Sequence, residues 1–300
     1  MSEEPGQPAV VAERAPLPIL VDETTLSLID LALAEDCGPG DWTSQWVVHA
    51  RTRAAAEIAS KAEGVVAGLA PAVSTFLRID PRIEVDVVSD DGASITPGDV
   101  ICRLKGPARA LLTGERVALN YLQHLSGVAT LTRRFVDAIA GTGARILDTR
   151  KTLPGWRVLE KAAVRAGGGE NHRMGLYDAV LVKDNHIALA GDVAEAIARV
   201  REQNARGLPV IVEVHDLDDI DVVLDAGADR LLLDNFDIDG LRAAVRHARA
   251  RDNPPELEAS GNVTLERVRD IAETGVDFIS VGALTHSARA LDLSMRIVHP

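Results

Sequence analysis

Cysteine is nearly missing from this chain of 300 residues, with Cys37 and Cys102 the only two. They lie far apart with no CxxC spacing, so neither a disulfide framework nor a thiolate zinc site is indicated, and a reducing cytosol suits the chain. Aromatic residues make up only 3%, so the core has to be built from Val, Leu, Ile and Ala. Long apolar runs are lacking as well; none approaches the roughly 20 residues that a membrane-spanning helix needs. The amino terminus carries Glu3, Glu4 and Glu13 without a long apolar stretch, which is not the pattern of a secretory signal. Positive charge is in deficit. With 32 Lys and Arg against 45 Asp and Glu, the net charge of −13 argues against bulk binding to nucleic acid or to an anionic membrane. The expectation is a soluble, cytoplasmic protein of one large barrel or two domains.

The charge deficit has one local exception. From Arg145 to Lys183, eight Lys and Arg stand against four Asp and Glu, an excess of four and a basic island suited to a small anion. Two short apolar runs inside it end in charge: Ile146-Leu147 leads to Asp148-Thr149-Arg150-Lys151, and Ala179–Val182 leads to Lys183-Asp184-Asn185-His186. Strands of α/β barrels carry active-site residues at their carboxyl ends in this way. Between the runs lie Pro154-Gly155, an amphipathic segment, Gly167-Gly168-Gly169 and Asn171-His172-Arg173. Arg157, Lys161 and Arg165 recur every four residues and read as a solvated helix face. Arg150, Lys151, Arg173 and Lys183 sit at strand ends or beside the glycines, where a functional reading is the stronger one.

Along the chain, residues 1–20 mix Pro, Glu and Ala without periodicity and read as a mobile tail. Residues 21–127 read as an α+β domain, with helices over Glu23–Glu35, Ala70–Leu77 and Thr113–Gln123 and strands over Arg53–Ser60, Val65–Gly68, Ile83–Val88 and Val100–Leu104. Gly127 reads as a break before a further helix, Val128–Ala140. From 128 to 290 the rhythm becomes β/α alternation. Six strands are predicted, at Arg145–Leu147, Ala179–Val182, Val210–Val212, Arg230–Leu233, Leu257–Ala259 and Phe278–Val281, which is the pattern of a parallel sheet or barrel. The last stretch, 291–300, reads as a strand able to return to the first domain's sheet.

The residues just past these strands are chemically loaded, and together they define a mouth. Ser260-Gly261-Asn262, before a helix predicted to start near Thr264, and Val281-Gly282-Ala283 suit phosphate, because glycine admits close backbone approach and helix starts point N–H groups at anions. Glu213 and Asp234 follow apolar runs and suit ribose hydroxyls or an Mg²⁺–pyrophosphate, both oxygen-rich partners. His172 gains a ligand-contact reading from its neighbours, whereas His124, His215, His247 and His286 gain no role from spacing. Without HExxH or a Cys/His cluster, a tight transition-metal site is not expected.

The spaced motifs TRKTLPG, LEK, GGGENHR and KDNH, with GDWTS near the start, resemble those of the quinolinate phosphoribosyltransferases (decarboxylating), from about Thr25 to the last few residues. That resemblance implies an incomplete, seven-stranded α/β barrel behind an N-terminal α+β sandwich. It implies transfer of a phosphoribosyl group from phosphoribosyl pyrophosphate to quinolinate, with Mg²⁺, giving nicotinate mononucleotide, pyrophosphate and CO₂. Quinolinate is then expected at Thr149, Arg150, His172, Arg173 and Lys183, with Arg116 entering from the neighbouring subunit of a homodimer or larger assembly. The donor is expected at Lys151, Glu213, Asp234, Ser260, Gly261, Asn262, Val281, Gly282 and Ala283, with Lys151, Lys183, Glu213 and Asp234 as the catalytic set and Glu213 and Asp234 as candidate metal ligands. Three other readings stay open on the residues alone: a Schiff-base aldolase using Lys183, a non-catalytic sensor of phosphorylated metabolites, and a phosphoribosyltransferase acting on nicotinate.

Overall fold

The structure, a computed structural model, describes residues 21–299, so the tail expected over 1–20 lies outside the described residues. The N-terminal unit comprises α1 (Glu23–Cys37), α2 (Trp42–Val47), β1 (Arg53–Ser60), β2 (Gly64–Val65), α3 (Leu69–Ile79), β3 (Glu84–Val87), β4 (Ser94–Ile95) and β5 (Val100–Pro107). Its helices start where short polar side chains satisfy free N–H groups: Asp22 accepts from Thr25 N, and Asp41 from Ser44 N. In β1 the residues Ala54, Ala56, Ile58 and Ser60 are buried while those between them are half-buried, the period-two signature of a sheet with one covered face.

The long helix α4 (Ala108–Ala138) then runs without interruption for 31 residues. The break expected at Gly127 is absent, and a domain boundary after residue 127 falls inside this helix. The physical reason is close packing: a Cβ at Gly127 would lie 2.2 Å from the carbonyl oxygen of Arg289. Glycine is required there by a neighbouring segment, not by a turn. Leu111, Ala118, Leu119 and Leu122 of α4 enter the core of the N-terminal unit, whereas Val117, Tyr121, Leu125, Val128, Ala129 and Phe135 enter the core of the following one. One helix thus serves both cores.

The remainder alternates: β6 (Arg145–Leu147), α5 (Arg157–Ala166), β7 (Val180–Val182), α6 (Asp184–Ala190), α7 (Val193–Gln203), β8 (Val210–Val214), α8 (Asp219–Asp225), β9 (Arg230–Asp234), α9 (Ile238–Arg249), β10 (Glu256–Ser260), α10 (Val268–Ala272), β11 (Phe278–Ser280), α11 (Ala283–His286) and β12 (Leu293–His299). Six parallel strands form one sheet in the order β6-β11-β10-β9-β8-β7. The ring is not closed by hydrogen bonds between β6 and β7, and the expected seventh strand is reduced to a single parallel bridge, Leu147 with Glu170. The closing β12 pairs antiparallel with β1, giving the first sheet the order β12-β1-β5-β3.

The inside of the barrel follows from period-two alternation. Phe278 is buried at the start of β11, its ring covered by the guanidinium groups of Arg145 at 4.1 Å and Arg230 at 4.0 Å. Above it Ala179, Ile211 and Leu232 form a small apolar cluster with Leu181, and Glu258 and Ser280 lie buried beside them. Two residues further along each strand come Lys183, Glu213, Asp234, Ser260 and Gly282. The residues at the mouth are therefore the next inward-facing positions of the strands that build the core.

Candidate functional site

These strand ends surround a cavity of about 640 Å³. The carboxyl ends of the two edge strands, β6 and β7, line the same space, so the sheet curls round on itself. Of the residues singled out from sequence, Thr149, Arg150, Lys151, His172, Arg173, Lys183, Glu213, Asp234, Ser260, Gly261, Asn262, Gly282 and Ala283 all line the cavity. Val281 does not: it is buried, and its N–H donates to Leu147 O at 2.9 Å. Arg116 does not either, being exposed on α4.

The basic wall is made by the segment between β6 and β7. Arg150 and Arg173 stand close together, and burial with the neighbouring Arg150 charge pushes the Arg173 guanidinium below its usual range. Arg173 Nη1 donates to Ala179 O at 3.1 Å, whereas Nη1 of Arg150 is buried and has no acceptor. Arg157 is not a solvated residue. It ties the two loops together, donating to Thr152 Oγ1 at 3.1 Å, Met174 O at 3.2 Å and Arg150 O at 3.3 Å. Lys161 departs from the solvated expectation further still: it is fully buried and ion-paired with the equally buried Asp148. Helical spacing put these side chains in one row but could not show that Lys161, in its middle, meets a buried carboxylate. Arg165 is exposed, as expected.

The opposite wall is acidic. Lys183 is ion-paired with Glu213, whose other oxygen lies 3.3 Å from His215 Nε2, and His215 Nδ1 is 3.9 Å from Asp234. Ligand atoms of Glu213, His215 and Asp234 all fall within 4.8 Å of one another. With its amine engaged by a carboxylate in a polar setting, Lys183 lacks the apolar pocket that an imine-forming lysine needs.

The glycine-bearing ends are constrained by close approach. Gly261 has φ +92°, and a Cβ there would meet Asn235 Oδ1 at 2.2 Å. Asn235 and Asn262 are the only described non-glycine residues with positive φ, at 60° and 49°, and Asn262 Nδ2 donates to Asn235 Oδ1 at 3.1 Å. Strained backbone of this kind clusters at ligand sites. The helix expected near Thr264 starts only at Val268, after a turn in which Arg267 N donates to Thr264 O. At the next end, Gly282 faces Lys151 and His286, and Thr285 Oγ1 donates to Lys151 O at 2.7 Å.

Sequence reasoning missed Glu258, Ser280 and His286 among the polar lining residues. Glu258 had a readable signal, since a carboxylate at the inward position of the run ELEAS has no place in an apolar core. It is fully buried, meets His172 Nε2 at 3.3 Å and Arg230 Nη1 at 3.2 Å, and accepts from Ser280 Oγ. Burial pushes its carboxyl up, but His172, Ser280 and Arg230 outweigh that and hold it below its ordinary value of 4.5.

Comparison with known proteins agrees with this geometry. Family models described as the N-terminal and C-terminal domains of quinolinate phosphoribosyl transferase match residues 41–126 and 128–296. A probable nicotinate-nucleotide pyrophosphorylase (carboxylating) from Synechocystis sp. is 45% identical over 89% of this chain and 90% of its own length. Its Bacillus subtilis counterpart of the same description is 43% identical over 90% and 92%. The crystal structure of NadC from Streptococcus pyogenes superposes with a TM-score of 0.89 at 36% identity, covering 94% of this chain and 99% of that one. With both of its halves matched and relatives above two-fifths identical along nearly its whole length, the chain belongs to the quinolinate phosphoribosyl transferase family.

Proposed function

We infer that this protein transfers the phosphoribosyl group of phosphoribosyl pyrophosphate to quinolinate with loss of CO₂, forming nicotinate mononucleotide and pyrophosphate in de novo NAD biosynthesis. The observation that carries the reading is the buried, acceptor-free Nη1 of Arg150 beside a second guanidinium, that of Arg173. A buried donor without a partner costs about 1–3 kcal/mol, more when charged, so this wall calls for an anion. Two adjacent carboxylates on a flat ring match it, because guanidinium groups pair with carboxylates through charge-assisted bonds. Nicotinate, with one carboxylate, leaves part of the wall unused.

In this reading Arg150 and Arg173, with Thr149, hold quinolinate on the basic wall, and Lys183 reaches it from the opposite one. The donor lies across the mouth, its 5′-phosphate at Ser260-Gly261-Asn262 and Gly282-Ala283 and its pyrophosphate near Lys151. The ring nitrogen bonds to the anomeric carbon as the carbon–oxygen bond to pyrophosphate breaks, and Glu213 and Asp234 face the positive charge that develops there. Such a reaction needs positioning and electrostatics and no protein nucleophile. The carboxylate beside the nitrogen then departs as CO₂, and the carbon it leaves takes up a proton. Mg²⁺ prefers oxygen ligands in octahedral array, and the carboxylates of Glu213 and Asp234 fit it better than His215 does. When bound, it would neutralise the departing pyrophosphate. The two unpaired cysteines suit a reducing cytoplasm. Among the described residues no helix is long and apolar enough to cross a membrane.

The direct experiment compares quinolinate with nicotinate as acceptor, following nicotinate mononucleotide and CO₂. Turnover of quinolinate alone is expected; equal use of nicotinate would overturn the acceptor assignment. Asp234→Asn is expected to lower kcat at every Mg²⁺ concentration, and full activity across that range would remove Asp234 from the donor site.

A further inference from the structure

Resting on that reading, we propose that the buried Lys161–Asp148 pair is the positioning element of the quinolinate wall, fixing the Asn171-His172-Arg173 segment so that Arg173 meets the acceptor. Both side chains have no exposed surface, and neither lines the cavity. What they hold is specific. Asp148 Oδ1 accepts the backbone N–H of His172 at 2.9 Å, and Lys161 Nζ donates to the carbonyl oxygen of the same residue at 2.9 Å. The two members of one ion pair thus take both main-chain polar groups of His172. Asp148 Oδ2 accepts from Asn171 Nδ2 at 2.5 Å, and the same amide donates to Lys161 O at 2.9 Å.

The side chain of His172 is equally occupied. Its Nδ1 accepts from Arg173 N at 2.7 Å, and its Nε2 faces Glu258 at 3.3 Å. Every polar group of His172 is therefore met by the protein, and Arg173, bonded to that ring through its own main chain, inherits the fixed position. His172 also lines the cavity, so the residue that faces the acceptor is itself held by the pair behind it. Burial pushes the Asp148 carboxyl up and the Lys161 amine down, against their mutual attraction. Replacing such a pair by apolar residues of similar shape is often neutral for stability. Its position behind the binding wall gives it a use that stability does not.

The test is the double variant Asp148→Asn/Lys161→Met, which removes both charges and keeps both shapes. The expected result is a melting temperature within a few degrees of the wild type, a quinolinate KM raised at least tenfold, and a KM for phosphoribosyl pyrophosphate changed less than twofold. An unchanged quinolinate KM in the folded variant overturns the proposal, and so does an equal rise in both KM values, which marks general loosening. Should the double variant fail to fold, Asn171→Ala removes the ties of one half-buried side chain to Asp148 and to Lys161 O. It is expected to raise the quinolinate KM several-fold with donor KM and melting temperature unchanged, and no change in quinolinate KM overturns the proposal. Wild-type protein that does not turn over quinolinate at all would instead refute the functional reading, before any variant is made.

Discussion

Glu258 shows how much one side chain decides in this barrel. Its carboxylate sits at the wall of the cavity among His172, Ser280 and Arg230, which hold it in the charged form. Because its folded pKa lies below the ordinary 4.5, its contribution to stability is complete above that pH and is lost as pH falls through the depressed folded value. Glu258→Gln is expected to cost about 1–3 kcal/mol at neutral pH and to flatten the acid side of the stability curve. Urea unfolding from pH 7 to pH 3 checks this, and an unaltered acid limb would mean another group carries it. Gly261 makes the second prediction at this scale. Its φ of +92° and the crowding against Asn235 leave no room for a side chain, so Gly261→Ala is expected to raise the donor KM about tenfold or more while the quinolinate KM holds. Steady-state kinetics with each substrate varied separately decide it. The charged strand ends that form this mouth were legible in the sequence, because strand parity and composition are local. The fate of Lys161 was not, since a four-residue spacing says which residues share a face and nothing about what that face meets.

Among the elements, α4 carries the clearest lesson. A glycine in the middle of a helical pattern costs about 1 kcal/mol against alanine and so reads as a stop, yet Gly127 stays helical because the chain at Arg289–Ala290 packs directly on it. That neighbour is 162 residues away in sequence, beyond the reach of any local pattern. Gly127→Val is therefore expected to destabilise the fold by about 1–3 kcal/mol through overpacking, with no change in the KM of either substrate in the protein that remains folded. Thermal melting with kinetics below the transition measures both. The six barrel strands were legible through alternation of apolar runs and amphipathic segments; the reduced seventh position at Glu170 was not, because one bridged residue leaves no pattern.

For the whole molecule, the position of Arg116 poses the question of assembly. It is exposed on α4 and outside its own chain's cavity, and a homodimer in which it completes the neighbouring site remains our proposal. Arg116→Ala and Lys183→Ala are each expected to be nearly inactive. Mixed under conditions that exchange subunits, they are expected to regain about a quarter of normal activity, since half of the dimers are hybrids and each hybrid has one intact site. Demonstrated exchange without recovery would assign Arg116 to its own chain or to no site.

The path of the chain between its two sheets has a mechanical consequence. The polypeptide leaves the first sheet through α4, builds the barrel, and comes back as β12 to pair with β1. Peeling the barrel away therefore strips an edge strand from the first sheet and uncovers the flank of a helix that fills both interiors. Neither half has a seam along which to melt alone. Calorimetry should show one cooperative peak for the full chain, and a cut at residue 127 should yield two fragments that fold only in each other's company.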